Sequence, residues 1–178
     1  MKENHNLFIS FFQHLHTINQ HRFLVCKLCF KMGLYWQGLT HDLSKYSIEE
    51  FWLGVRYFQG NRSPIDAERK DRGYSTAWLH HKGRNKHHWQ YWTDFHKGKI
   101  VQLEMPMKYI KEMICDRIAA CMVYQKDKYH PSSALEFLDR SREQYLMPEK
   151  TVAYVREMLT IVAENDLDKA MEIIRNNY

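Results

Sequence analysis

The sequence predicts an all-α fold in one domain. Three observations carry this. Glycine and proline are scarce, with seven and four in 178 residues. Strict alternation of apolar and polar residues is nowhere sustained, and the apolar residues recur at helical spacing. At 178 residues and 44% apolar content the chain fits one globular domain rather than a disordered segment.

The first helix is expected from about Asn6 to Met32, with Gly33 as its stop. It contains "FLVCKLCFKMGL". Its Cys26 and Cys29 form a C-x-x-C without Gly, Pro or a βαβ context, so they read as buried small apolar residues. A short second segment holds "YWQGLTHDLSKY". Ser47 and Glu50 then form a capping box that starts a helix ending before Gly60. Residues 60–73, "GNRSPIDAERKDRG", read as the one long loop. A helix from Tyr74–Thr76 carries Trp78, His80 and His81 toward Gly83. Pro106 suits the first turn of the next helix, where its missing N–H costs nothing. There Tyr109, Met113, Asp116, Ala120 and Val123 share one stripe, so Asp116 is a carboxylate on the inward face. Ser133 and Glu136 read as a second capping box, and Pro148 and Asn165 or Asp166 divide a histidine-poor C-terminal scaffold, about 131–178.

No run approaches the roughly 18 apolar residues of a membrane span. The stretch "MKENHNLFISFFQHLH" lacks a continuous apolar region and a small-residue cleavage site, so a cytoplasmic protein is expected. The net charge of +5 suits an anionic ligand without demanding one. Motifs of P-loop, dinucleotide, serine-hydrolase and H-E-x-x-H type are missing.

The chemistry concentrates in two places. His41 and Asp42 are adjacent, and an imidazole beside a carboxylate can hold a divalent ion if a turn points both inward. The stretch "LHHKGRNKHHWQYW" then supplies His80, His81, His87 and His88 in two adjacent pairs that spacing cannot tell apart. Lys82, Arg84, Asn85 and Lys86 offer charge and hydrogen-bond donors for a phosphate. Its aromatics, with Trp78, read as core anchors rather than a base-stacking platform, because Asp94, Glu104 and Glu112 interrupt a basic stripe.

The order His21, His41-Asp42, histidine cluster, Asp116 resembles the HD-domain metal-dependent phosphohydrolase superfamily over about residues 14–125. "HDLSK" is similar to its HD-x-x-K, which places Lys45 near a phosphate, and "ICDRIAA" to its last-helix Asp. The block from "HDLSKYSIEEF" through "AWLHHKGRNKHHWQYW" also resembles a small family within that class. The resemblance implies a single HD-like helical bundle with extra C-terminal helices and one or two divalent ions. His21, His41, Asp42 and Asp116 would bind the first, and Asp42 with two of the clustered histidines the second. Iron, manganese, zinc or nickel suit such a histidine-rich set better than magnesium. The implied reaction is hydrolysis of a small phosphate ester, for instance a nucleotide. In it Asp42, Lys45 and Arg84 act at the reacting centre, and Lys45, Lys82, Arg84 and Asn85 bind substrate. Glu50 is read as a cap ahead of a base or supporting carboxylate. His14 or His16 replaces His21 as first ligand if the short spacing to His41 forbids it. A di-iron oxygenase and a non-catalytic metal- or nucleotide-binding protein are the rival readings. A homo-oligomer is compatible with the sequence, and neither a membrane nor a nucleic acid is expected as partner.

Overall fold

The computed structural model describes residues 6–178, without the side chains of Arg142 and Glu143. Residues 1–5, the start of the stretch expected to lack a leader, lie outside them. The fold is an all-α bundle. α1 (Leu7–Lys31) and α6 (Met107–Gln125) pack against each other as the central pair. α8 (Glu149–Glu164) lies on α6, α9 (Leu167–Asn177) on α1 and α8, and α7 (Ser133–Arg140) on α6 and α8. α2 (Tyr35–Thr40) folds back along α1, and α3 (Ile48–Arg56) joins α1 to α4 (Pro64–Arg72) and α5 (Thr76–Arg84). Among the described residues, no helix is long and apolar enough to cross a membrane.

The buried stripe of α1 explains how one helix serves both the core and a polar site. Val25, Leu28 and Cys29 enter the apolar core, whereas His21 and His14 occupy the same face about one and three turns earlier. α6 is buried on nearly every side. Ile110, Ile114 and Ile118 face the core while Glu112 is buried elsewhere on the helix, which suits a central element. Cys29 and Cys115 are fully buried free thiols, and Cys26 and Cys121 are half-buried. Trp89 and Trp92 pack against the core cluster, as anchors do.

Four local expectations change. Residues 60–73 are not a loop, because Pro64–Arg72 is helical. Ser63 Oγ accepts from the Ile65 amide, Pro64 opens the first turn, and Gly73 (φ +81) closes the helix with its N–H on the Arg69 carbonyl. What makes this polar helix pay is Glu68, 1% exposed, whose carboxylate accepts from Ser75 Oγ (2.5 Å), the Thr76 amide (3.1 Å) and Thr76 Oγ1 (2.9 Å). Second, Thr93–His96 and Lys99–Gln102 form an antiparallel hairpin, β1 and β2, with Thr93 opposite Gln102. Lys97 (φ +49) and Gly98 (φ +77) make its two-residue turn. Both strands are exposed on nearly every residue, so no apolar alternation marks them. Third, Ser47 Oγ does accept from the Glu50 amide (3.3 Å), but the Glu50 carboxylate turns to histidines instead of closing a capping box. Fourth, Ser132, not Ser133, precedes α7, and Ser133 Oγ donates to Gln125 (2.7 Å).

Burial pushes the Glu68 carboxyl up, but its hydrogen bonds from Ser75 and Thr76 outweigh this and hold it below its usual range. A lowered folded-state value adds stability above the ordinary carboxylate range and loses it as pH falls. Glu68→Ala, which strands those buried donors, should cost about 2 kcal/mol at neutral pH. Urea titrations at pH 7 and pH 4 should show the gap between wild type and variant narrowing at the lower pH.

Candidate metal centre

His21 stands on the inward stripe of α1. His41 and Asp42 follow α2 directly. Successive side chains in an extended segment point to opposite sides, yet these two converge because His41 is extended (φ −50, ψ 127) and Asp42 is left-handed (φ 53). Asp is among the few residues that adopt that conformation readily. Arg22 braces the turn, donating from Nε to the His41 carbonyl (2.7 Å) and from Nη2 to the Leu39 carbonyl (3.1 Å). α5 presents His81 near its end, the following turn brings His87 and His88 back over Asp42, and α6 contributes Asp116.

These residues form two groups that share one carboxylate. In each, His21, His41, Asp42 and Asp116 or Asp42, His81, His87 and His88, one ligand atom per residue lies within 4.8 Å of every other. Asp42 Oδ2 faces His41 Nε2 at 3.4 Å and His21 Nε2 at 3.8 Å. Its Oδ1 faces His81 Nε2 at 3.3 Å and His87 Nε2 at 3.4 Å. Asp116 Oδ1 lies 3.0 Å from His21 Nε2 and 3.6 Å from His41 Nε2. His21 Nε2, His41 Nε2, Asp42 Oδ1, His87 Nε2 and His88 Nε2 are buried without a well-formed hydrogen bond among the described residues. Buried polar atoms are normally paired, so five unpaired ones distributed over these two groups fit bound cations. The described residues thus contain buried His/Asp clusters able to hold a metal.

The electrostatics agree. Burial, with Lys45 nearby, lowers the His21 pKa, and burial with His87 and His81 holds His88 well below the usual histidine range. Both are therefore neutral and have lone pairs to give. Burial alone would also lower His41, but Asp42 and hydrogen bonds to Asp116 and Glu112 outweigh it and raise it to about 10. Burial works against ionised Asp42 and Asp116, yet surrounding imidazoles, and for Asp42 also Lys45, keep both well below the usual carboxylate range. Without an ion, a protonated His41 carries the positive charge that this carboxylate cluster demands.

Not every expected residue belongs here. His80 stays outside both groups, with Nδ1 bonded to Glu50 Oε1 (2.6 Å), so the site takes His81, His87 and His88. Arg84 is exposed and reaches only the His80 carbonyl (3.4 Å), which removes it from the reacting centre. Neither it nor Lys82 lines the two cavities that reach the cluster. Asn85 is buried and donates to Ser44 Oγ (2.8 Å) and the His81 carbonyl (2.8 Å), so it braces the site instead of meeting substrate. His14 lies between Phe51 and Phe58 and His16 is exposed, which leaves His21 as the α1 member. Lys45 has its Nζ 2.7 Å from Asp42 Oδ2 and its side chain on a cavity wall.

Of the carboxylates behind the histidines, sequence reasoning ranked Glu50 first as a cap and missed Glu112. Glu50 Oε2 bonds His81 Nδ1 (2.8 Å), and Glu112 Oε1 bonds His41 Nδ1 (2.9 Å). One signal was available for Glu112, which stands one turn before Asp116 on the same helix face. Two cavities open on the cluster. One of about 200 Å³ contains Asp42, Lys45 and His81 beside Trp78 and Tyr124. The other, about 400 Å³, contains His87, His88 and Asp116 beside Arg69 and Trp89.

No curated protein and no solved structure matches the chain. A model of a family of unknown function, DUF5662, matches residues 10–161, which include every member of both groups. The chain belongs to the DUF5662 family.

Proposed function

We propose that this protein is a cytoplasmic, metal-dependent phosphohydrolase of the HD-domain type, acting on a small phosphate ester. The observation that supports it best is Asp42, whose two oxygens face two separate pairs of imidazoles, His21 and His41 on one side and His81 and His87 on the other. His21, His41, Asp42 and Asp116 would hold one divalent ion, and Asp42, His81, His87 and His88 a second. Imidazole with carboxylate suits iron, manganese, zinc or nickel. Ions bound there lower the pKa of a coordinated water toward about 7 and polarise a phosphoryl oxygen.

The remaining roles fall to the chain. Lys45, charged and on the wall of the smaller cavity, binds a non-bridging phosphoryl oxygen and offsets the negative charge that grows on it. Burial would lower its pKa, but Asp42 and Asp116 outweigh this and raise it, so it stays protonated at neutral pH. Trp78 and Tyr124 line both cavities and limit water around the ester. Glu50 and Glu112 aim the imidazoles from behind. The larger cavity takes the organic half of the ester.

Elemental analysis of protein purified without chelator tests the first step, and a panel of phosphate esters beginning with p-nitrophenyl phosphate tests the second. One or two transition ions per chain with turnover that disappears on chelation is the expected result. Tightly bound metal with no turnover across the panel would refute hydrolysis; if that metal is iron, oxygen consumption becomes the next assay.

A further inference from the structure

Behind the two groups stands a single oxygen atom. Glu112 Oε1 hydrogen-bonds His41 Nδ1 at 2.9 Å and lies 3.0 Å from His87 Nδ1. His41 belongs to one four-residue group and His87 to the other, and the two also form a three-residue group with Glu112. Their rings lie side by side, with centroids 4.4 Å apart and planes inclined by 36°. His87 Nδ1 is buried without a well-formed hydrogen bond among the described residues, and the Glu112 oxygen 3.0 Å away is the carboxylate within reach of it. The opposite nitrogens, both Nε2, face the two oxygens of Asp42 at 3.4 Å each. The two imidazoles are therefore clamped between one carboxylate in front and one behind.

We infer that Glu112 is the positioning residue common to both ion sites. This rests on the metal reading above. A carboxylate at Nδ1 selects the Nδ1–H tautomer, leaves the Nε2 lone pair free for an ion and fixes the ring's direction. Ordinarily one such partner serves one ligand. Here one oxygen serves a ligand of each ion, so the sites are built as a unit and a change at Glu112 reaches both. Asp116, one turn later on α6, ties that unit to the same helix. Glu50 is the internal contrast. It bonds His81 and His80, of which only His81 belongs to a group, so its reach ends at one ion.

The test uses the full chain stripped of metal and titrated with Co²⁺, followed by calorimetry and ligand-field absorbance. Wild type should take up two ions. Glu112→Gln should weaken both by about 10- to 100-fold, whereas Glu50→Gln should weaken one and spare the other. In the Zn²⁺-loaded protein, histidine ¹⁵N–¹H spectra should show both the His41 and His87 Nδ1 protons moving in Glu112→Gln while the His81 proton stays. A merely structural role would move no such pair selectively. Unchanged affinities, or a loss confined to one ion, overturn the inference. If Glu112→Gln does not fold, the wild-type spectrum decides: slowly exchanging Nδ1 protons on both rings support the inference, and free solvent exchange at either overturns it. A wild type that takes up no cobalt overturns this inference together with the metal reading. Two bound ions without phosphohydrolase activity overturn only the hydrolytic reading.

Discussion

Asp42→Ala is expected to empty both ion positions and reduce phosphate-ester hydrolysis to the background rate. No other residue belongs to both four-residue groups, so each site loses a ligand at once. The variant also strands charge. Lys45 loses its 2.7 Å partner, and the carboxylate most effective in keeping His41 protonated disappears. Removing one member of a buried charged pair commonly costs about 3–5 kcal/mol. A lower melting temperature should therefore accompany the loss of metal. Asp42→Asn separates the effects, because it keeps the shape and a polar group but surrenders the charge and the bridge. It should melt closer to wild type and still bind no more than one ion, as read by elemental analysis against a circular-dichroism melt. A variant that retains two ions would sink the bridging role.

Ile114→Ala should have the largest effect on stability alone, about 2–5 kcal/mol. Ile114 is fully buried in the cluster that α1, α6, α8 and α9 build together, and truncation leaves a cavity which close-packed neighbours refill only in part. Measured against a total of about 5–15 kcal/mol, that is a large share of the stability of such a domain. Two positions along a helix turn the side chain by about 200°, so Ile114 points away from both Glu112 and Asp116. Urea denaturation should show the loss, while the folded variant keeps the metal content of wild type. Metal lost from folded protein would mean that α6 transmits packing defects to its polar face.

The two variants divide the chain as α6 does, into an apolar half and a chemical half. Much of the first was legible beforehand. The spacing of Met113, Asp116 and Val123 sets a helix face directly, because a residue's direction on a helix follows from its position. The caps at Ser47 and Asp166 work the same way, through hydrogen bonds spanning three residues. The α4 segment carried equally local signals in Ser63, Pro64 and Gly73, but its polar composition masked them. Its stability depends on Glu68 meeting Ser75 and Thr76, a contact no helical period announces. The exposed hairpin left no pattern for a similar reason, since neither face is buried.

By itself the sequence determined an all-α chain and the order in which His21, His41, Asp42, the histidine cluster and Asp116 arrive. Each depends on local periodicity or residue identity. Only the tertiary structure decided that His81, His87 and His88 converge while His80 turns to Glu50, that Arg84 and Lys82 stay off the cavity walls, and that Glu50 and Glu112 stand behind the ring nitrogens. The reason is geometric. Adjacent histidines offer the same chemistry, and which one reaches Asp42 depends on the turn after α5 and on α6, carried in from far along the chain.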